Sequence, residues 1–183
     1  MDEGYREGES PAAHVDRLAR EKAEAVAGGA GSGKDRGAVS GMGSGLASVL
    51  FVGGDTVVVH GGKVLGKPLD ENDAVRMLLD LSGSEHEVLS GVAIAGSRAT
   101  VSSVGRTLVR FRSFDEREAR AYVASREPLD KAGAYGIQGL GAALVEEIRG
   151  DYYTVVGFPV GRFLKLLEGL GWRYTFGSLE PDG

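Results

Sequence analysis

Hydrophobic and polar positions divide the chain into short β-branched runs and longer helical stripes. Residues 49–52 (VLFV) form an apolar run that meets Gly53-Gly54, then Asp55 and Thr56, then a second β-branched run at 57–59. Runs of this kind read as buried strand. Two glycines before an acid predict an interruption, either a bulge or a close backbone approach. Asp55 then either ends a strand or is a carboxylate offered at the edge of a rigid element. The depletion of acids inside strands favours the second. His60-Gly61-Gly62-Lys63 predicts a hairpin turn, and Lys67 follows in Gly66-Lys67-Pro68.

Around this stretch the periodicity is helical. Ser10-Pro11 predicts a helix start, with Ser10 as N-cap and Pro11 in the first turn. Val15, Leu18, Ala19, Lys22 and Val26 fall on one face. Lys22 is the odd member of that apolar stripe. It either snorkels to solvent or aims a cation into a site, and the helix pattern alone favours snorkelling. Residues 28–48 are rich in Gly and Ser and lack a period, which predicts a flexible loop. Residues 28–34 spell G-x-x-x-x-G-K. Asp35 stands where a phosphate loop needs a hydroxyl, and a helix precedes where a strand is required, so this is no P-loop.

Residues 70–81 predict a helix with Val75, Leu78 and Leu79 inward, ended by Gly83. Residues 87–95 and 99–111 predict an antiparallel pair joined at Gly96-Ser97. Arg106, Arg110 and Arg112 alternate onto one side, which reads as a solvated strand face rather than a phosphate patch. Ser113-x-x-Glu116 is a capping box that opens a helix reaching Ser125. Residues 127–142 combine the Asp130-Lys131 pair, repeated glycine, Tyr135 and Gln138. Such a segment is either a connector or a loop that meets a ligand through backbone N–H groups, and its glycines favour the ligand loop. A short strand at 144–148, a turn at 149–151, and a strand or helix entry at 152–156 follow. An amphipathic helix at 160–170, with Phe163, Leu164 and Leu167 inward, precedes an irregular tail after Trp172. Strands alternating with helices, one pair antiparallel, predict an α/β fold with a mixed, elongated sheet flanked by helices. Residues 1–183 are expected to form a single domain.

Composition narrows the chemistry. With 42% hydrophobic residues, 183 residues suffice for a core. A net charge of −5 gives no general attraction to nucleic acid or to anionic membrane, so neither is expected as a partner. A polyanionic ligand then needs local cations, a metal, or both. The absence of cysteine excludes thiolate chemistry, and three scattered histidines make no zinc pattern. The polar N-terminus is no signal peptide, and no run reaches membrane-spanning length, so a soluble, cytoplasmic protein is expected.

In chain order, Asp2-Glu3, LAREKA (18–23), GGDTVVV (53–59), LGKP (65–68), DAVRMLLDLSGSEHEVLSGVA (73–93), YVASREPLDKAGAYGIQG (122–139) and GDYYTVVGFP (150–159) span nearly the whole chain outside 28–48. Together they resemble the Maf family of nucleoside triphosphate pyrophosphatases. The resemblance implies hydrolysis between the α and β phosphates, yielding monophosphate and pyrophosphate with a divalent metal, Mg²⁺ or Mn²⁺. It implies that Asp55 is the general base for water and that Glu3 and Asp55 lie at the metal. It implies that Lys22 and Lys67 face the triphosphate, which reverses the snorkelling reading of Lys22. It implies that Thr56 and Gln138 set the base preference, here toward dTTP and UTP, and it implies a possible homodimer. The residue types suit that chemistry: lysines and a hard cation hold a triphosphate, and a hydroxyl and an amide read a pyrimidine edge.

The family pattern carries an S-x-S-P-R-R loop before the Asp-Glu pair. This chain opens at Met1-Asp2-Glu3, so those arginines map to no residue in it. Thr154 stands where many relatives carry Asn. Two functions follow as expectations: a dTTP/UTP pyrophosphatase, favoured by Asp55, Thr56, Lys67 and Gln138, or a catalytically weak nucleotide-binding protein of septum control, favoured by the missing loop.

Overall fold

The structure is a computed structural model and describes residues 4–29, 49–96 and 99–182. Asp2-Glu3, most of the glycine-rich loop (30–48) and Ser97 of the predicted turn lie outside the described residues.

Helix α1 (Pro11–Gly29) starts where predicted, the Ala13 amide donating to Ser10 Oγ at 3.2 Å. Val15, Leu18, Ala19 and Ala23 are buried. Val26 is exposed instead of inward, because the buried stripe drifts onto Ala23 and Ala27, which pack against Ala93, Ala95 and Phe51.

Strand β1 (Phe51–His60) runs unbroken through Gly53-Gly54, so the interruption expected there is not a bulge. It is a close approach. A Cβ at Gly53 would lie 2.2 Å from the Ala19 carbonyl oxygen, and one at Gly91 2.3 Å from that of Val15. Bare backbone at both positions lets α1 lie directly on the sheet. The turn at Gly61-Gly62 pairs His60 with Lys63 and leads into β2 (Lys63–Leu65).

Helix α2 (Glu71–Leu81) is capped by Asp70, whose carboxylate accepts from the Asp73 amide at 2.8 Å. It buries Ala74, Val75, Leu78 and Leu81, while Leu79, expected inward, is exposed. β3 (Glu85–Ala95) and β4 (Thr100–Phe111) form the predicted antiparallel pair. Helix α3 (Glu116–Val123) takes its cap from Asp115, which accepts from the Glu118 amide at 2.9 Å. Ser113 is not the cap: Asp115-x-x-Glu118 has the same spacing, and a carboxylate suits the helix N-terminus. Then follow β5 (Val145–Arg149), α4 (Tyr152–Val156) and α5 (Val160–Gly169). The tail forms a small hairpin of β6 (Trp172–Tyr174) and β7 (Leu179–Pro181), where irregular chain was expected.

The main sheet has the order β2-β1-β3-β4-β5, and every pairing among the described residues is antiparallel. The chain has the expected α/β architecture, an elongated sheet flanked by helices, but the mixed strand directions expected of it are not seen among the described residues, whose pairings are all antiparallel. One face receives α1. The other carries the larger core, where Val58, Val88, Val109 and Phe111 meet residues of α2 and α3. Arg106 pairs with Glu87, and Arg110 with Glu146 and Glu147, as a solvated strand face predicts. No described helix is long and apolar enough to cross a membrane.

Candidate active site

Successive side chains on a strand point to opposite faces, so Asp55 and Thr56 serve two sides of the sheet. Asp55 turns toward α1, as Gly53 does. Lys22 Nζ, on α1, donates to Asp55 Oδ1 at 2.7 Å. The pair is partly sheltered, with 32% of the Lys22 side chain and 15% of that of Asp55 exposed. Helix α1 reaches this position because Gly91, the cross-strand partner of Asp55, also lacks a side chain. The Asp55 charge is felt by Tyr5: burial first, and then Asp55, raise the phenol above its ordinary value.

Thr56 turns to the other face. Its Oγ1 lies 2.8 Å from Ser90 Oγ, directly across the β1–β3 pair, and 3.4 Å from the Gly157 carbonyl oxygen. Ser90 is fully buried and donates to the Thr154 carbonyl at 2.6 Å. Thr154 Oγ1 in turn donates to Asp151, the α4 cap, at 2.8 Å, so α4 is pinned to the sheet through hydroxyl groups.

These elements enclose a cavity of about 730 Å³ lined by Asp55, Thr56, Lys67, Lys131 and Gln138, among others. Val155, Val156 and Gly157 of the α4 end form one wall. Gln138 is exposed where it lines the space, and the neighbouring Ile137 is buried and anchors the loop. Lys67 makes no ion pair among the described residues, while Lys131 donates to Asp130 at 2.7 Å. That hydrogen bond, reinforced by the charges of Lys131 and Lys67, holds the Asp130 carboxyl below its usual range.

The loop opposite β1 is organised by a residue that sequence reasoning passed over, Glu127. Its carboxylate accepts from the Tyr122 hydroxyl at 2.8 Å, the Leu140 amide at 2.8 Å and the Gly141 amide at 3.1 Å. Burial pushes the Glu127 carboxyl up, but the Gly141 and Leu140 amides and the Tyr122 hydroxyl outweigh it and leave it below its usual range. A Cβ at Gly139 would lie 2.3 Å from the same carboxylate, so the chain wraps the acid without side chains between. The signal was present as an acid opening a glycine-spaced loop. Ser90 was also passed over; its signal was a lone hydroxyl inside the apolar run of β3. Below the cavity, His86 Nε2 and Tyr135 OH are 2.8 Å apart, both groups buried.

Of the residues expected at the site, Asp55, Thr56, Lys67 and Gln138 share the cavity, and Lys22 joins through Asp55. Glu3 lies outside the described residues.

A sheet of this form, flanked by helices and carrying a roomy cleft lined by acids, lysines, a hydroxyl and an amide, defines an α/β protein with a polar cleft. The family model described as Maf-like protein matches residues 1–170, and the chain belongs to the Maf family. It is 42% identical over 171 residues to a dTTP/UTP pyrophosphatase of Hahella chejuensis, covering 93% of this chain and 79% of that protein. It is 44% identical over 173 residues to a dTTP/UTP pyrophosphatase of Syntrophomonas wolfei, covering 93% and 83%. A Bacillus cereus protein of the same name is 50% identical over 119 residues, covering 65% and 62%.

Proposed function

We propose that this protein hydrolyses dTTP, UTP or a related modified nucleotide between the α and β phosphates, releasing the monophosphate and pyrophosphate. The observation that carries the reading is one cavity lined at once by Asp55, Lys67, Thr56 and Gln138, in a chain 42% identical to a dTTP/UTP pyrophosphatase. Asp55 accepts the proton of the attacking water. Lys22 orients that carboxylate through its hydrogen bond and adds positive charge beside it. Lys67 faces the phosphates, and Thr56 and Gln138 meet the base edge.

A divalent cation, Mg²⁺ or Mn²⁺, belongs to this reading. Such ions bind through one or two carboxylates and complete their shell with substrate phosphates and water. Asp55 fits as a hard oxygen donor at the cavity, and Glu3 is assigned as the second acid. Among the described residues no three acidic, His or Cys side chains cluster. When bound, the ion offsets charge on the phosphate oxygens and the leaving pyrophosphate. Supporting the role of Glu3, Tyr5, two residues on, stacks against His14 of α1, the helix that carries Lys22.

Residues 1–183 are proposed to act as one domain, as a homodimer in the cytoplasm, with no nucleic-acid or membrane partner. The test is pyrophosphate release from dTTP, UTP, CTP and GTP with Mg²⁺ or Mn²⁺. Release from dTTP and UTP is the expected result; none from a folded protein overturns the reading.

A further inference from the structure

We infer that Ser90 sets the polarity of the Thr56 hydroxyl, so that Thr56 shows the cavity a hydrogen-bond acceptor and selects bases carrying a ring N–H. The inference rests on the pyrimidine nucleotide reading above.

A hydroxyl has one proton and two lone pairs. Ser90 Oγ lies 2.6 Å from the Thr154 carbonyl oxygen, which can only accept, so the Ser90 proton is committed there. Ser90 is fully buried, out of reach of solvent. At the 2.8 Å contact between the two hydroxyls, Thr56 is therefore the donor and Ser90 the acceptor. The remaining described partner of Thr56 Oγ1, the Gly157 carbonyl oxygen at 3.4 Å, is also an acceptor. Both contacts draw the Thr56 proton into the protein. What Thr56 Oγ1 presents to the cavity it lines is a lone pair.

Uracil and thymine carry a protonated N3 between two carbonyls. A lone pair matches that N–H, and the Gln138 amide can donate to a flanking carbonyl. Cytosine has an unprotonated N3 at the same place and would set acceptor against acceptor. A buried polar mismatch of this kind discriminates strongly because neither group finds a partner. Ser90 thus acts as a positioning residue through Thr56.

The test is the ratio of kcat/KM for UTP over CTP in wild type, Ser90→Ala, Thr56→Val and the double variant, with thermal melts on each. Wild type is expected to favour UTP. Ser90→Ala leaves only the long 3.4 Å contact to the Gly157 carbonyl holding the Thr56 proton, so the hydroxyl can rotate and donate to the base, and the ratio is expected to fall about tenfold, mostly through KM. In the Thr56→Val background the Ser90 change is expected to move the ratio no further, because its only route is the hydroxyl now absent. A folded Ser90→Ala protein with an unchanged ratio overturns the inference. So does a further fall in the double variant. If Ser90→Ala does not fold, an unchanged ratio in Thr56→Val overturns it. Wild type that releases no pyrophosphate from UTP or dTTP refutes the functional reading itself, which is a separate outcome.

Discussion

A Cβ at Gly53 would lie 2.2 Å from the Ala19 carbonyl oxygen, so the contact between β1 and α1 is backbone on backbone. Neither side of that contact is a flexible side chain. The same helix carries Lys22 to Asp55, 2.7 Å away. Gly53→Ala is expected to lift α1, cost about 1–3 kcal/mol of stability as overpacking does, and lower turnover beyond the loss in folded protein. Urea unfolding alongside specific activity checks both halves.

Asp55→Asn keeps the shape of the side chain and removes its basicity. Its kcat is expected to fall by ~10²–10⁴-fold with the melting temperature little changed. Chelation of divalent metal is expected to abolish pyrophosphate release, and Mg²⁺ or Mn²⁺ to restore it in wild type but not in Asp55→Asn. Restored activity in the variant would remove Asp55 from the role of base.

Glu127→Ala strands two loop amides and the Tyr122 hydroxyl. A loss of about 1–2 kcal/mol is expected from the lost hydrogen bonds, two of them part-buried. Because the loop also carries Gln138, KM is expected to rise more than kcat falls. Steady-state kinetics and limited proteolysis of the 127–141 segment report the two effects. The Glu127 carboxyl sits below its usual range. Its clamp is therefore complete above the unfolded carboxyl pKa and is lost as pH falls through the lower folded value.

His86 is buried against Tyr135 and Phe111, and burial first, then the nearby His60, lower its pKa from 6.5 to about 4. The unfolded chain binds the His86 proton first as pH falls. Stability from this group is thus complete above pH 6.5 and declines toward pH 4, by on the order of 3 kcal/mol. His86→Gln keeps a partner for the Tyr135 hydroxyl and cannot take up that proton. Its stability is expected to be flatter across the same window, measured by denaturant melts at stepped pH.

The local rules were legible in the chain. The Ser10 cap, the His60–Lys63 hairpin and the β3–β4 pair all follow from turn chemistry and periodicity, which act over a few residues; Asp55, expected at the edge of an element, lies instead inside β1, where its pairing with Lys22 accommodates the charge. The motif order was enough to point to the family, which the comparisons show. Where two local solutions competed, the pattern misled: Asp115 displaced Ser113 as a cap, and Ala27 displaced Val26 on the buried stripe. The short tail hairpin also escaped, because three-residue strands carry almost no period.

What the sequence determined by itself was most of the elements and the residue types available for chemistry: an acid and a hydroxyl side by side, lysines, and a glycine-spaced loop. Tertiary structure alone decided their partners. Lys22 meets Asp55 across 33 positions, Thr56 meets Ser90 across 34, and Ser90 meets Thr154 across 64. Such contacts depend on how closely two backbones approach and which face a pleat presents, and no local pattern encodes either. Gly53 shows the difference: its composition signal was an interruption, and packing made it the point where helix and strand touch.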